Sequence, residues 1–172
     1  MKILINDANI LIDLVKISLL NRFSDLSYEL YTTDFILAEV NQAQKKEIVK
    51  LIGDAKINLI VTTEMEDFQG IYNLLEESSG LSFQDCSAWY YSKKMNGTLI
   101  TGDRKLRKTA EIDGVEVRGI IYIMDEILRQ GIISFEDAIQ KIELLFSLNN
   151  RLPHKELTKR INLWKKQKHV EQ

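Results

Sequence analysis

The residues with the clearest chemical potential are acids, and they are marked by where they fall. Asp7 directly follows an apolar run at 2–6 (KILIN). Asp34 follows the Tyr- and Thr-rich stretch 28–33 (YELYTT), with Glu39 a few residues beyond it. Asp103 follows 98–101 (TLIT) after a single glycine, and Asp85 closes the segment Ser82-Phe83-Gln84-Asp85. Carboxylates that converge repel one another and raise each other's pKa values. A hard divalent cation relieves that repulsion, and Mg²⁺ or Mn²⁺ prefers oxygen ligands. Two such ions held roughly 3.5–4 Å apart activate a water and stabilise the leaving oxygen of a phosphodiester.

The elements needed to bring these acids together can be read from apolar periodicity. Strands are expected at 2–6, 28–33, 57–62, 98–101 and 115–118. Helices are expected at 9–20, 35–41, around 45–51, and at 64–78, 83–95, 104–111, 121–130, 135–148 and 155–168. Asn96-Gly97 reads as the stop of the helix before it. Strands alternating with helices specify an α/β fold with a central, mainly parallel sheet. In such sheets ligands bind beyond the carboxyl ends of the strands. Three strands therefore deliver a carboxylate to one edge, and Asp85, at the start of its helix, can point there too.

Each acid also has a purely structural role open to it. Asp7 and Asn9 suit the N-cap of the first helix. Asp34, just before Phe35-Ile36-Leu37, is read as an N-cap, which makes Glu39 the preferred functional acid of that segment. Its neighbours Ile36, Leu37, Ala38 and Val40 suggest a partly sheltered position. Ser82 to Asp85 resembles a capping box, which would place the acid favourably in a first helical turn. Asp103 reads as a turn or cap residue, and Gly102 allows a tight turn and close approach of a phosphate. Asp13 and Asp113 are read as surface acids, Cys86 as a small buried side chain, and Trp89, Tyr90 and Tyr91 as helix packing.

The bulk composition narrows the classes. The chain has 172 residues, 45% hydrophobic and 28% charged, with one Pro, 8 Gly and the single cysteine Cys86. That fits one domain with a sizeable core, and leaves no intramolecular disulfide or cysteine metal cluster. The start Met-Lys-Ile-Leu-Ile-Asn-Asp reaches an acid too soon for a signal peptide, and no apolar run is of membrane-spanning length. A cytoplasmic protein is expected. Formal charge is −7 over 1–150 and +5 over 151–172, unlike a non-specific DNA binder. The change of sign near Asn149-Asn150-Arg151-Leu152-Pro153 marks a domain at 1–150 and a basic helical extension at 151–172. Leu157, Ile161 and Trp164 at helical spacing predict that the extension packs on the domain. His154 and His169 have no partners at metal-ligand spacing.

The strand followed by DANILIDL, the segment TTDFILAEV, LSFQDCSAW, and LITGDRKLRKTAEIDGVEVRG together resemble a prokaryotic PIN-domain protein over about residues 3–119, and the helical remainder suits a longer subgroup. The resemblance implies a three-layer α/β/α sandwich with extra C-terminal helices. It implies a metal-dependent ribonuclease, in many members the toxin of a toxin–antitoxin pair. It makes Asp7, Glu39, Asp85 and Asp103 the metal-binding, catalytic acids, with Asn9 and Thr101 as supporting polar residues. The cofactor expected is Mg²⁺ or Mn²⁺; the partners expected are RNA, an antitoxin protein and a second copy of the chain in a homo-oligomer, with no membrane.

Beside the acids, Arg104, Lys105, Arg107 and Lys108 form a basic run. A solvated helix face is its bland explanation. Phosphate binding by Arg104, Lys105 and Lys108, which is independent of base sequence, is the preferred reading, with Lys93 and Lys94 extending the patch. Two alternatives accompany the nuclease. One is a catalytically weak PIN-like protein-binding module, whose amphipathic 155–168 helix docks a partner. The other is a phosphatase with an aspartyl nucleophile, disfavoured because Asp7-Ala8-Asn9 lacks the second acid of an Asp-x-Asp pair.

Overall fold

The computed structural model describes residues 2–168, so His169 lies outside the described residues. Five strands, β1 (Ile3–Asn6), β2 (Glu29–Thr33), β3 (Asn58–Ile60), β4 (Thr98–Ile100) and β5 (Val117–Arg118), form one sheet in the order β3-β2-β1-β4-β5. Every pairing is parallel; Leu4 stands opposite Leu30 on one side and Thr98 on the other. The chain thus starts in the middle of the sheet. It winds outward through β2 and β3, then returns to the other flank of β1. The direction reverses between β1 and β4, and this switch point opens a crevice outside their carboxyl ends.

Among the described residues ten helices surround the sheet: α1 (Ala8–Lys16), α2 (Leu20–Phe23), α3 (Asp34–Glu39), α4 (Gln42–Gly53), α5 (Met65–Glu77), α6 (Phe83–Lys94), α7 (Arg104–Ile112), α8 (Ile120–Arg129), α9 (Phe135–Leu148) and α10 (His154–Lys168). Helix α6 packs on β1, β2 and β4, with α5 and α7 beside it. Helix α1 packs with α2 and α4, and α2 meets α8, which leads on to α9 and α10. Helix α3 touches both α1 and α6 and so bridges the two layers. This is the expected α/β/α arrangement with additional C-terminal helices. Leu4, Ile5, Leu99 and Ile100 are fully buried, as central parallel strands covered on both faces require.

The expected helix at 9–20 is two helices. Ser18 adopts φ 51, its amide donates to the Val15 carbonyl at 3.0 Å, and that of Leu19 donates to Leu14 at 2.8 Å. This pair of bonds closes α1 with a left-handed residue. Burial of Ile17, Leu19 and Leu20 compensates the cost of a non-glycine there. The stop at Asn96-Gly97 is built the same way, with Asn96 taking the positive φ and Gly97 N bonding Ser92 O at 2.8 Å.

The extension is anchored. Leu157, Ile161 and Trp164 are buried against the domain, and Trp164 Nε1 donates to Asp125 at 3.1 Å. The apolar face of α10, which alone suggested docking of a partner, is used inside the molecule. No helix among the described residues is long and apolar enough to cross a membrane.

Candidate functional site

The switch-point crevice is closed by a network running from the end of β1 to the end of β4. Asp7 is the N-cap of α1 and is 2% exposed. Its Oδ1 accepts from Ala8 N at 2.7 Å. Its Oδ2 accepts from the Thr101 hydroxyl at 2.7 Å and from the Asn9 carboxamide. Thr101 Oγ1 in turn accepts from Asp103 N at 3.0 Å, and Asn9 Oδ1 accepts from Gly102 N at 2.8 Å. Asn9 and Thr101 thus tie two neighbouring strand ends together around one carboxylate. Gly102 eases this closeness: a Cβ there would stand 3.1 Å from Asn9 Oδ1, a tight contact.

Electrostatics bring in two more acids. Burial pushes Asp7 from 3.8 up to about 7; the bonds from Thr101 and Ala8 oppose the rise, and the charges of Asp85 and Glu39 add to it. Glu39 is also held above its ordinary value, by loss of solvent first and by Asp85 second. Three carboxylates from the ends of β1, α3 and the start of α6 therefore sense one another. None of the four candidate acids makes an ion pair among the described residues, although acids such as Asp67, Asp113 and Glu126 do.

Glu39 is more exposed than its neighbours suggested, because α3 ends on it and Val40, not Glu39, turns inward. A carboxylate on the last helical residue meets the wrong end of the helix dipole. Its position is therefore not explained by helix stability. Asp34 is not the cap: Thr33 is, its hydroxyl accepting from Ile36 N at 3.1 Å. Asp34 sits one residue into α3 and accepts from Phe35 N and, at 3.4 Å, from Thr62 N beyond β3. A threonine that ends a strand can also cap the next helix, and that moves the boundary by one residue.

Asp85 does form a capping box. It receives Ser82 N on Oδ2 at 2.8 Å, and its own amide donates to Ser82 Oγ at 3.0 Å. The box engages one carboxylate oxygen and leaves Oδ1 open. Asp103 is exposed and caps α7: its Oδ1 accepts from Lys105 N and Leu106 N at 2.8 and 2.7 Å, again leaving the second oxygen open. Asp103 joins the network through its amide, which donates to Thr101 Oγ1.

The donor set fits a hard divalent cation. A buried carboxylate faces two others with no cation to offset it, and Glu39, Asp85 and Asp103 each keep an oxygen or more free for a ligand. Among the described residues no three His, Cys, Asp or Glu side chains already close on a common point. Binding would have to draw the carboxylates together, and Glu39, exposed at the end of its helix, is best able to move. Asn6, missed by sequence reasoning, is fully buried next to Asp7. Its Oδ1 is the one buried side-chain polar atom without a partner among the described residues. A polar residue closing the apolar run Ile3-Leu4-Ile5 was the signal.

The basic run divides. Arg107 donates to the carbonyls of Val117 and Thr101 at 3.2 Å and pairs with Glu111, so it staples β4 to β5. Lys105 lies against Gly80, whose Cβ would come within 2.5 Å of Nζ. Arg104 and Lys108 are exposed and make no ion pair among the described residues. Lys93 and Lys94 do not extend the patch: they pair with Asp113 and Asp67 near the other end of α6, about 12 Å along the helix from Asp85. Asp113 also accepts from Trp89 Nε1 at 3.1 Å and is half-buried, and Asp13 is buried and accepts from Asn149 Nδ2 at 2.8 Å; neither is the surface acid expected. Trp89, Tyr91 and Cys86 are buried packing residues.

A family model described as a PIN domain matches residues 3–166. Among solved structures, the chain is similar to VapBC-1 from nontypeable Haemophilus influenzae. Identity is 19%, 68% of this chain and 97% of that chain are covered, and the TM-score is 0.48. It is also similar to VapBC2 from Rickettsia felis bound to a DNA fragment from their promoter, at 16% identity over 68% of this chain and 98% of that chain, with a TM-score of 0.47. No curated protein matches the sequence.

Proposed function

The chain belongs to the PIN-domain family, and on that premise we propose that it is an endoribonuclease dependent on Mg²⁺ or Mn²⁺. The observation that carries this is Asp7: a buried carboxylate at the sheet's switch point, raised to about 7, within electrostatic reach of Asp85 and Glu39 and without an ion pair among the described residues. Asp7, Glu39, Asp85 and Asp103 would hold the metal. When bound, a divalent ion supplies Lewis acidity that lowers the pKa of water and offsets charge on the scissile phosphate.

The chain's own residues orient this chemistry. Thr101 and Asn9 both donate to Oδ2 of Asp7, which orients the carboxylate. The α6 capping box fixes Asp85 through one oxygen and presents the other. Water attacks phosphorus in line, the bond to the leaving ribose oxygen breaks, and no protein nucleophile is required. The test is cleavage of single-stranded RNA by purified protein with Mn²⁺ or Mg²⁺, with and without EDTA. Asp7→Asn and Asp103→Asn should each abolish cleavage, and activity that survives in both refutes the reading.

A second reading is a protein-binding module of weak activity, such as the neutralised member of a toxin–antitoxin pair. One observation favours it: Met65, Phe68 and Tyr72 leave an apolar stripe open along α5, with Met65 80% exposed. Co-expression with a small protein encoded alongside, followed by co-purification, tests it. An active nuclease that retains no such partner argues against it.

A further inference from the structure

A groove of about 1180 Å³ begins at Asn9, Thr101 and Asp103 and runs to the turn between α9 and α10. It exceeds the roughly 300–1,000 Å³ usual for small-molecule pockets, which suits a segment of polymer. One wall is the start of α7, with Arg104 and Lys105. The other is the elbow at 149–155, with Arg151 and Lys155. All four cations are exposed, and none makes an ion pair among the described residues, whereas Arg160 and Lys165 further along α10 are paired with Asp125 and Glu143.

The elbow is built to hold its shape. Asn149 Nδ2 donates to the buried Asp13 of α1 at 2.8 Å, and Asn149 Oδ1 accepts from Arg151 N at 3.0 Å. Leu152 is buried in the turn, and His154 packs edge-on against Phe146 with ring centroids 4.5 Å apart. These contacts fix the backbone that carries Arg151 and Lys155 across from α7. Of the acids along the groove, Asp13 is closed off by Asn149 and Asp103 belongs to the site, which leaves Glu156 exposed.

We propose that the α9–α10 elbow is a phosphate-binding arm, and that a single strand of RNA leaving the acidic site lies in this groove with its backbone between Arg104 and Lys105 on one side and Arg151 and Lys155 on the other. The inference rests on the ribonuclease reading for the identity of the strand. It assigns to the C-terminal extension a role in substrate grip that the acidic centre cannot supply, since carboxylates repel a polyanion.

The experiment measures binding separately from cleavage. Anisotropy of a short labelled single-stranded RNA is followed against salt, in EDTA, with the full chain. Arg151→Glu with Lys155→Glu should weaken binding by roughly tenfold or more and flatten the log–log salt slope by about 0.7 for each phosphate that is no longer neutralised. Lys46→Glu with Lys50→Glu, the same charge change on exposed residues of α4 away from the groove, should leave both nearly unchanged. Circular dichroism confirms that each variant is folded. Equal weakening in both pairs, or none in the elbow pair, overturns the arm. A chain that binds RNA through the elbow but does not cleave with Mn²⁺ keeps the arm and refutes the nuclease. Failure of the wild-type chain both to bind and to cleave overturns both.

Discussion

Neutralising Asp7 should make the metal-free protein less sensitive to rising pH. Its carboxyl is raised from 3.8 to about 7 in the folded state. A raised carboxyl reverses the usual acid behaviour: the folded protein binds the proton more tightly than the unfolded chain. The contribution of Asp7 is therefore fully retained below about pH 4 and is lost as pH climbs through 7. At about 1.4 kcal/mol per pH unit, the penalty is roughly 2 kcal/mol at pH 5 and about 4 kcal/mol at pH 8. Asp7→Asn removes it. The new amide nitrogen, however, faces the donor groups of Asn9 and Thr101 where Oδ2 accepted, which costs roughly 1–3 kcal/mol at every pH. That offset cancels when the variant is compared with wild type across pH, so their stability difference should shift by about 2–3 kcal/mol in favour of the variant from pH 5 to 8. Urea unfolding in EDTA, extrapolated linearly at each pH, gives the number. Saturating Mn²⁺ should then stabilise wild type by about 2.7 kcal/mol at a hundredfold excess over its dissociation constant, and leave the variant nearly unmoved. A difference that stays flat from pH 5 to 8 would refute the view of Asp7 as an uncompensated buried charge.

Four further outcomes follow from the same geometry. Ser82→Ala should cost about 1 kcal/mol by removing half the capping box, yet keep metal-dependent cleavage, whereas Asp85→Asn should abolish cleavage while its remaining oxygen still accepts from Ser82 N; denaturation and a cleavage assay separate the two. Thr101→Val removes the hydroxyl that donates to Asp7 and accepts from Asp103 N; it should destabilise by about 1–3 kcal/mol and raise the Asp7 titration further, as followed by NMR of the carboxyl. Arg107→Ala should lower stability in urea unfolding by about 1–3 kcal/mol, because the carbonyls of Val117 and Thr101 lose its donors. Trp164→Ala should cost about 3–5 kcal/mol in urea unfolding, because the ring is 1% exposed.

What could be read in advance was local. The strands and most helices follow from apolar periodicity, and the capping box at Ser82 to Asp85 from a three-residue spacing. What could not be read depends on partners far along the chain. Asp13 looks like a solvated helix acid until Asn149, 136 positions away, closes over it. Arg107 sits in a basic run but is consumed by the carbonyls of Thr101 and Val117, which only the fold brings to it. Asp34 and Thr33 compete for one cap, and their backbone geometry decides the contest. The relative standing of the acids changes for the same reason. Strand position alone puts Asp103 level with Asp7, yet its carboxylate turns to the amides of its own helix, while Asp85 and Glu39, more ambiguous locally, lie within electrostatic reach of Asp7.

The distribution of cations is the deeper regularity. A fold that only needed to stabilise Asp7 would place an arginine or lysine beside it, since an unpaired buried charge is costly. Arg107 is near enough to bond the Thr101 carbonyl, and it serves backbone oxygens instead. Lys105 leans towards Gly80, and Lys93 and Lys94 are bound to Asp113 and Asp67. Asp7 therefore bears its charge without a basic side chain, while unpaired cations line the groove that starts at Asn9, Thr101 and Asp103. On the proposed reading, a cation from solution would complete the first region and a polyanion the second. Phosphodiester cleavage at a metal centre needs both together, so removing the divalent ion should weaken cleavage far more than it weakens RNA binding.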